Sequence, residues 1–170
     1  MIIFLETKRL ILKRPSLNQL EDLFVLQSDP EVMKYIGSGP RKKEKIIEAT
    51  ESAIKHYNDH GFSMCSIYEK ETGEFVGQAG LIYLEYNDNQ PDIEVGYRLH
   101  KKFWNKGYAT EIAIALIKWG FEHLAVDHLI AVINPENIKS KNVLERAGMS
   151  VVGKETAYGG QVLKFMILKK

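Results

Sequence analysis

Residues 93–111, reading IEVGYRLHKKFWNKGYATE, constrain the fold of this chain more than any other segment. The first half reads as a strand ending near Leu99. The second opens a helix over about residues 107–124, whose apolar stripe is Ile112, Ala113, Leu116, Ile117, Phe121 and Leu124. The loop between them contains glycine, and no Asp or Glu lies in residues 100–110. A helix entered without a side-chain cap presents unpaired N–H groups and the positive end of its dipole, which suits an anion. Gly107 lets a ligand approach the backbone, Ala109 keeps the first turn uncrowded, and Lys101, Lys102 and Lys106 add positive charge. By spacing alone, a surface loop with a tight helix entry is an equally good reading.

Around this junction the pattern predicts one strand, two or three helices, three strands, helix, strand, helix and two strands. Residues 2–14 read as one extended segment. Ser16 with Gln19 forms a capping box before a helix with Leu17, Leu20 and Phe24 on one face. Asp29-Pro30 predicts a short helix through Tyr35, and a further helix carries Ile46, Ile47, Ile54 and Tyr57 up to Gly61. Residues 62–69 and 74–84 form a hairpin, followed by strands at 91–99 and 128–133 and a helix over about 136–147. The last strands, roughly 150–158 and 161–168, join through Gly159-Gly160. No repeat or linker divides the chain, so residues 1–170 are expected to be one domain, mixed α/β around one sheet.

Several classes fall away. Lys and Arg number 23 against 22 Asp and Glu, a net charge of +1, too balanced for a nucleic-acid partner. One cysteine, Cys65, excludes an intrachain disulfide and a cysteine zinc site, and its apolar surroundings mark it as a core residue. HExxH is absent, and His123 and His128 have no third ligand nearby, so no metal is expected. GxxxxGK[ST] and GxGxxG are absent too. No apolar run approaches about 18 residues, so no membrane is expected, and the start lacks a secretory pattern, which makes a cytoplasmic location the expectation. Trp104 and Trp119 read as packing residues. The acidic stretch Glu85-Tyr86-Asn87-Asp88 favours a cationic amine as partner.

The motif at Trp104 to Ala109, WNKGYA, resembles the pyrophosphate loop of the GNAT acetyltransferase superfamily, Q/R-x-x-G-x-G/A, with Gly107 and Ala109 matching and Trp104 in place of Gln or Arg. Trp in that place is familiar in the ribosomal-protein N-terminal acetyltransferase branch. Asn137-x-x-Ser140-x-x-Val143-Leu144-Glu145-x-x-Gly148-Met149 is similar to that branch's second element, and Leu5-Glu6-Thr7-x-Arg9-Leu10 with Ser28-Asp29-Pro30-Glu31-Val32 matches at the front. The matches keep the family's order and span nearly the whole chain.

The resemblance implies a GNAT fold: a mostly antiparallel sheet of about seven strands with splayed middle strands and about four helices. It implies acetyl-CoA as cosubstrate, with pantetheine along Tyr97 and Leu99, and pyrophosphate on the amides of Asn105, Lys106, Gly107, Tyr108, Ala109 and Thr110. A carboxylate at Glu94 would be the general base, and a backbone N–H around Leu99 would meet the oxyanion. The usual proton-donating tyrosine is replaced by Leu144, so Ser140 would hydrogen-bond the thiolate. Asn137 would hold pantetheine or substrate; it also suits a helix cap. The expected acceptor is a primary amine, a protein or peptide N-terminus, with a small amine (amino acid, polyamine or antibiotic) as the alternative and a non-catalytic CoA-binding protein as a third reading. Monomer and homodimer both stay open.

Overall fold

The computed structural model describes residues 2–170. Eight strands form one sheet: β1 (Ile3–Glu6), β2 (Leu10–Lys13), β3 (Met64–Glu69), β4 (Phe75–Tyr83), β5 (Ile93–Leu99), β6 (His128–Ile133), β7 (Ser150–Ala157) and β8 (Gly160–Leu168). Their spatial order is β1-β2-β3-β4-β5-β6-β8-β7, and every neighbour pair is antiparallel except β5 and β6. Four α-helices flank the sheet: α1 (Leu20–Ser28), α2 (Lys43–His60), α3 (Tyr108–His123) and α4 (Ile138–Arg146).

Alternation along the strands sends β4 and β5 side chains to two different layers. Ala79 and Leu81, with Ile93, Val95 and Leu99, pack under α3 in the main core with Ile112 and Leu116. The opposite set, Gln78, Gly80 and Ile82 opposite Arg98, Gly96 and Glu94, faces α1 and α2. An apolar pattern thus buries one face, and the same strand carries its polar residues to the other. The strands β5 and β6 are joined through the helical crossover α3 and pair at only one register position, Glu94 with Ile130. Beyond it they part.

Four expectations change. The first segment is two strands, not one, so the sheet has eight strands rather than seven: the Thr7 hydroxyl accepts from Leu10 N (3.1 Å) and Thr7 N donates to Leu10 O (2.9 Å), which folds the run back as a hairpin. The helix through Tyr35 is a chain of turns. Asp29 Oδ1 caps Glu31 N (2.9 Å) and Met33 N reaches Asp29 O (3.0 Å), but too few residues separate Pro30 from Gly37 for a helix to propagate. Ser16 and Gln19 do form their capping box, but around a 3-10 turn at Leu17–Gln19. Its tighter winding shifts the helical phase, burying Leu23 and Leu26 and leaving Leu17 exposed. Finally, the last hairpin turns through Tyr158 (φ 52) and Gly159 (φ 77), one residue earlier than expected, closed by Ala157 opposite Gly160.

Candidate active site

Two cavities open on the divergence of β5 and β6. The larger, about 720 Å³, lies over the β5–α3 loop and α4; the smaller, about 250 Å³, faces α2 and the β7–β8 corner. Tyr35, Ile36, Tyr97, Arg98, Asn137 and Ser140 border both, so the two communicate at the end of β5.

The larger cavity is walled by Asn105, Gly107, Tyr108, Ala109 and Thr110. Gly107 takes φ 78 at the α3 N-cap with no side-chain cap, and Asn105 also has a positive φ of 61. The first N–H groups of α3 are left for an anion. The loop is braced from behind by the β1–β2 turn. Arg9 Nη1 donates to Lys106 O (2.9 Å), and Arg9 Nε and N reach the Glu111 carboxylate at 2.7 and 2.9 Å; the Thr7 hydroxyl donates to it at 2.6 Å. Burial pushes the Glu111 pKa up, but these hydrogen bonds outweigh it and hold the carboxyl below its ordinary value. The Tyr108 ring lies under Arg9 and its hydroxyl donates to Glu69, so its main chain is what it can offer a ligand. Lys106 is not among the residues bordering the cavity; its ammonium lies over Phe103.

Free strand edge supplies the next wall. His100 N donates to Val76 O (2.9 Å), and the continuous register of β4 and β5 therefore spends the polar groups of Arg98, Gly96 and Glu94 on β4. Those of Tyr97 and Leu99 point toward the departing β6. Trp104 Nε1 donates to Leu99 O (2.8 Å), and Lys139 sits over the Trp104 ring, fastening the loop to α4. At the start of α4, Asn137 is the helix cap, its Oδ1 accepting from Ser140 N (3.2 Å). Tyr97 donates to Ser140 O (3.4 Å), and burial pushes its phenol up to about 12. A side-chain contact with Ser140 works against that rise, and buried Leu144 completes this wall.

Glu94 is 7% exposed and borders the smaller cavity. Burial pushes its carboxyl up to about 7, against a hydrogen bond from Tyr158 and the charge of Arg98. Tyr158 donates to Oε1 and accepts from Glu85 N (3.2 Å); Oε2 has no partner. Arg41 and Arg98 border the same cavity, and both guanidinium pKa values are lowered by burial, that of Arg98 to about 10 with help from the like charge of Arg41. Sequence reading takes Arg41-Lys42-Lys43 as a solvated helix start that could steer an acidic substrate, and gives Arg98 and the Tyr158 hydroxyl no role. The strand pattern could have placed Arg98 on the Glu94 face; Arg41 and Tyr158 arrive only through tertiary folding.

Cys65 is fully buried and its thiol pushed up by desolvation, as a core residue's would be. His128 bridges Asp92 (2.9 Å) and Asp127, and His123 stacks on Trp119. Among the described residues no group of three or more His, Cys, Asp or Glu could hold a metal ion, and no helix is long and apolar enough to cross a membrane.

Residues 9–150 match the family model described as an acetyltransferase (GNAT) domain. The Bacillus subtilis (strain 168) protein YkkB is 34% identical over 147 residues, 83% of this chain and 84% of its own length. Among solved structures, an acetyltransferase from Agrobacterium tumefaciens str. C58 superposes with a TM-score of 0.86 at 25% identity, covering 99% of this chain and 95% of its own. RimL, a ribosomal alpha-N-protein acetyltransferase in complex with coenzyme A, shares the fold with a TM-score of 0.80 at 16% identity, over 98% of each chain.

Proposed function

The chain belongs to the GNAT acetyltransferase family, and we propose that it transfers the acetyl group of acetyl-CoA to a primary α-amine, that of a peptide or protein N-terminus, by direct attack in a ternary complex. The observation that carries this reading is a carboxylate, Glu94, buried on the wall of the smaller cavity with Tyr158 on one of its oxygens. An N-terminal ammonium has a pKa of about 7.7–8.0 and a lysine ammonium about 10.4. Burial, which pushes the Glu94 carboxyl up to about 7, brings it closer to the first than to the second.

Glu94 accepts the amine's proton directly or through water, with Tyr158 holding its Oε1. The amine attacks the thioester carbonyl, and a backbone N–H around Leu99, on the edge of β5 that β4 leaves unpaired, meets the oxyanion. The pantetheine arm pairs along that edge as an added strand, and the diphosphate takes the main-chain amides of residues 105–110. Asn137 caps the turn that carries Ser140, whose hydroxyl hydrogen-bonds the departing sulfur. The Tyr97 phenol, protonated at neutral pH, stands on the same wall and donates to Ser140 O.

Thiol release with short peptides bearing free N-termini, compared with Nα-blocked lysine peptides and polyamines, tests the proposal. At pH 7 the α-amines should react at least about tenfold faster. Equal or faster reaction of lysine or polyamine overturns it; thioester hydrolysis with no acceptor returns the reading of a CoA-binding protein without transferase chemistry. The modest cavity of about 250 Å³ is the observation favouring a small amine as the second reading.

A further inference from the structure

We infer that the acceptor carries a carboxylate close to its amine, held by Arg98 and Arg41. This rests on reading the smaller cavity as the acceptor site. Arg98 lies on the same face of β5 as Glu94, and Arg41 borders the same cavity from the segment before α2. Among the described residues no carboxylate comes within 4.0 Å of either guanidinium. Arg98 is only partly buried as a residue, but its Nε and Nη1 are closed off from solvent and have no hydrogen-bond partner. Both residues border the cavity with no carboxylate of the described residues against them. A charge-assisted pair with an anion there offsets the cost of burying two guanidinium groups side by side.

Arg41 is set rather than loose. Its Nη1 donates to Gln27 Oε1 and Gln27 Nε2 to Gln78 Oε1, both at 2.8 Å, and its own N–H donates to Gln27 O (2.9 Å). A fork held this way is prepared for a planar carboxylate. Glu94 cannot serve as the lasting counter-ion, since it becomes neutral when it takes the amine's proton, leaving two cations unopposed at the moment of attack. A carboxylate brought by the acceptor supplies the missing charge.

The donor's diphosphate is not that anion. Arg98 borders both cavities, but Arg41 borders only the smaller and Asn105, Gly107 and Thr110 only the larger, so an anion shared by the two arginines lies on the smaller cavity's side. Of the acidic stretch that favoured a cationic amine, Glu85 accepts from the Tyr158 amide and Asp88 pairs with His60 at 3.3 Å, and neither borders the smaller cavity. The carboxylate could belong to a free α-amino acid or to the acidic side chain of an N-terminal residue.

Matched acceptors separate the two sources: alanine against alaninamide, and tetrapeptide amides beginning with Asp or Glu against those beginning with Asn or Gln. In at least one arm, kcat/KM should favour the carboxylate about tenfold or more, as expected for a charge-assisted pair. Arg98→Gln and Arg41→Gln should each erode that preference, with acetyl-CoA calorimetry reporting that the variants fold. The CoA-saturated protein should also bind N-acetylalanine or N-acetylaspartyl peptide more tightly than the matching amide, a readout that needs no turnover. If product carboxylates are preferred but no amine is acetylated, the carboxylate site stands and the proposed transfer falls. Matched pairs equal within about threefold in both arms, or a preference that survives both arginine variants, overturns the inference.

Discussion

At position 94 a carboxylate faces α2 from β5, opposite Ile82, with Tyr158 on one oxygen. Its desolvation has consequences for rate and stability alike. Because only the ionised form accepts a proton, kcat/KM should rise between pH 6 and 8 with a midpoint near 7. Glu94→Gln should lose about 100-fold or more and flatten that profile; a variant that keeps the wild-type pH dependence removes Glu94 as the base. The folded-state pKa of about 7 lies above the ordinary 4.5, so the folded protein binds the proton more tightly than the unfolded chain. The stability this contributes is fully present below about pH 4.5 and is lost as pH rises through 7, on the order of 3 kcal/mol in all. Urea unfolding at pH 8 should accordingly find Glu94→Gln more stable than wild type by about 1–3 kcal/mol, a gain that shrinks at pH 5.

Among the elements, the N-terminal hairpin governs a loop about a hundred residues away in sequence. Arg9 and Thr7 grip Glu111 and the Lys106 carbonyl, so the first turn of α3 is held from the side opposite its cavity. Gly107 completes the loop at a positive φ that side chains rarely adopt. Arg9→Ala should leave α3 intact but slacken the loop, raising the acetyl-CoA Kd about five- to tenfold by calorimetry, consistent with losing charge-assisted hydrogen bonds. An unchanged Kd would make the brace a matter of folding alone. The matching motif at residues 5–10 was visible in the sequence, whereas its task was not, because Glu111 belongs to another element and reads there as an ordinary first-turn acid.

For the whole molecule, the decisive feature is that β5 and β6 share a single register position and then separate. A cosubstrate filling that gap ties together the two halves of the sheet, and binding to the folded state alone stabilises it by mass action. At 100 times Kd, acetyl-CoA should add about 2.7 kcal/mol, raising Tm by about 5–10 °C for a chain of this size. No rise from a well-folded sample would count against the cleft as the donor site.

The strongly periodic elements were legible in sequence, because α3 and the strands around it bury one face whatever surrounds them. The Gly107 junction was legible too, since uncapped amides and a left-handed residue are local properties. What lay beyond sequence was decided by contacts between distant segments. The β7–β8 corner falls on Tyr158 and Gly159 rather than on Gly159 and Gly160, and the Tyr158 hydroxyl reaches Glu94 only once β8 has docked beside β6. Arg41 and Arg98, 57 positions apart by their numbering in the chain, become neighbours across one cavity in the same way. Hydrophobic patterning and backbone chemistry act within a few residues and can be read along the chain. Charge, desolvation and the pKa values they set depend on distance through space, which tertiary structure alone supplies.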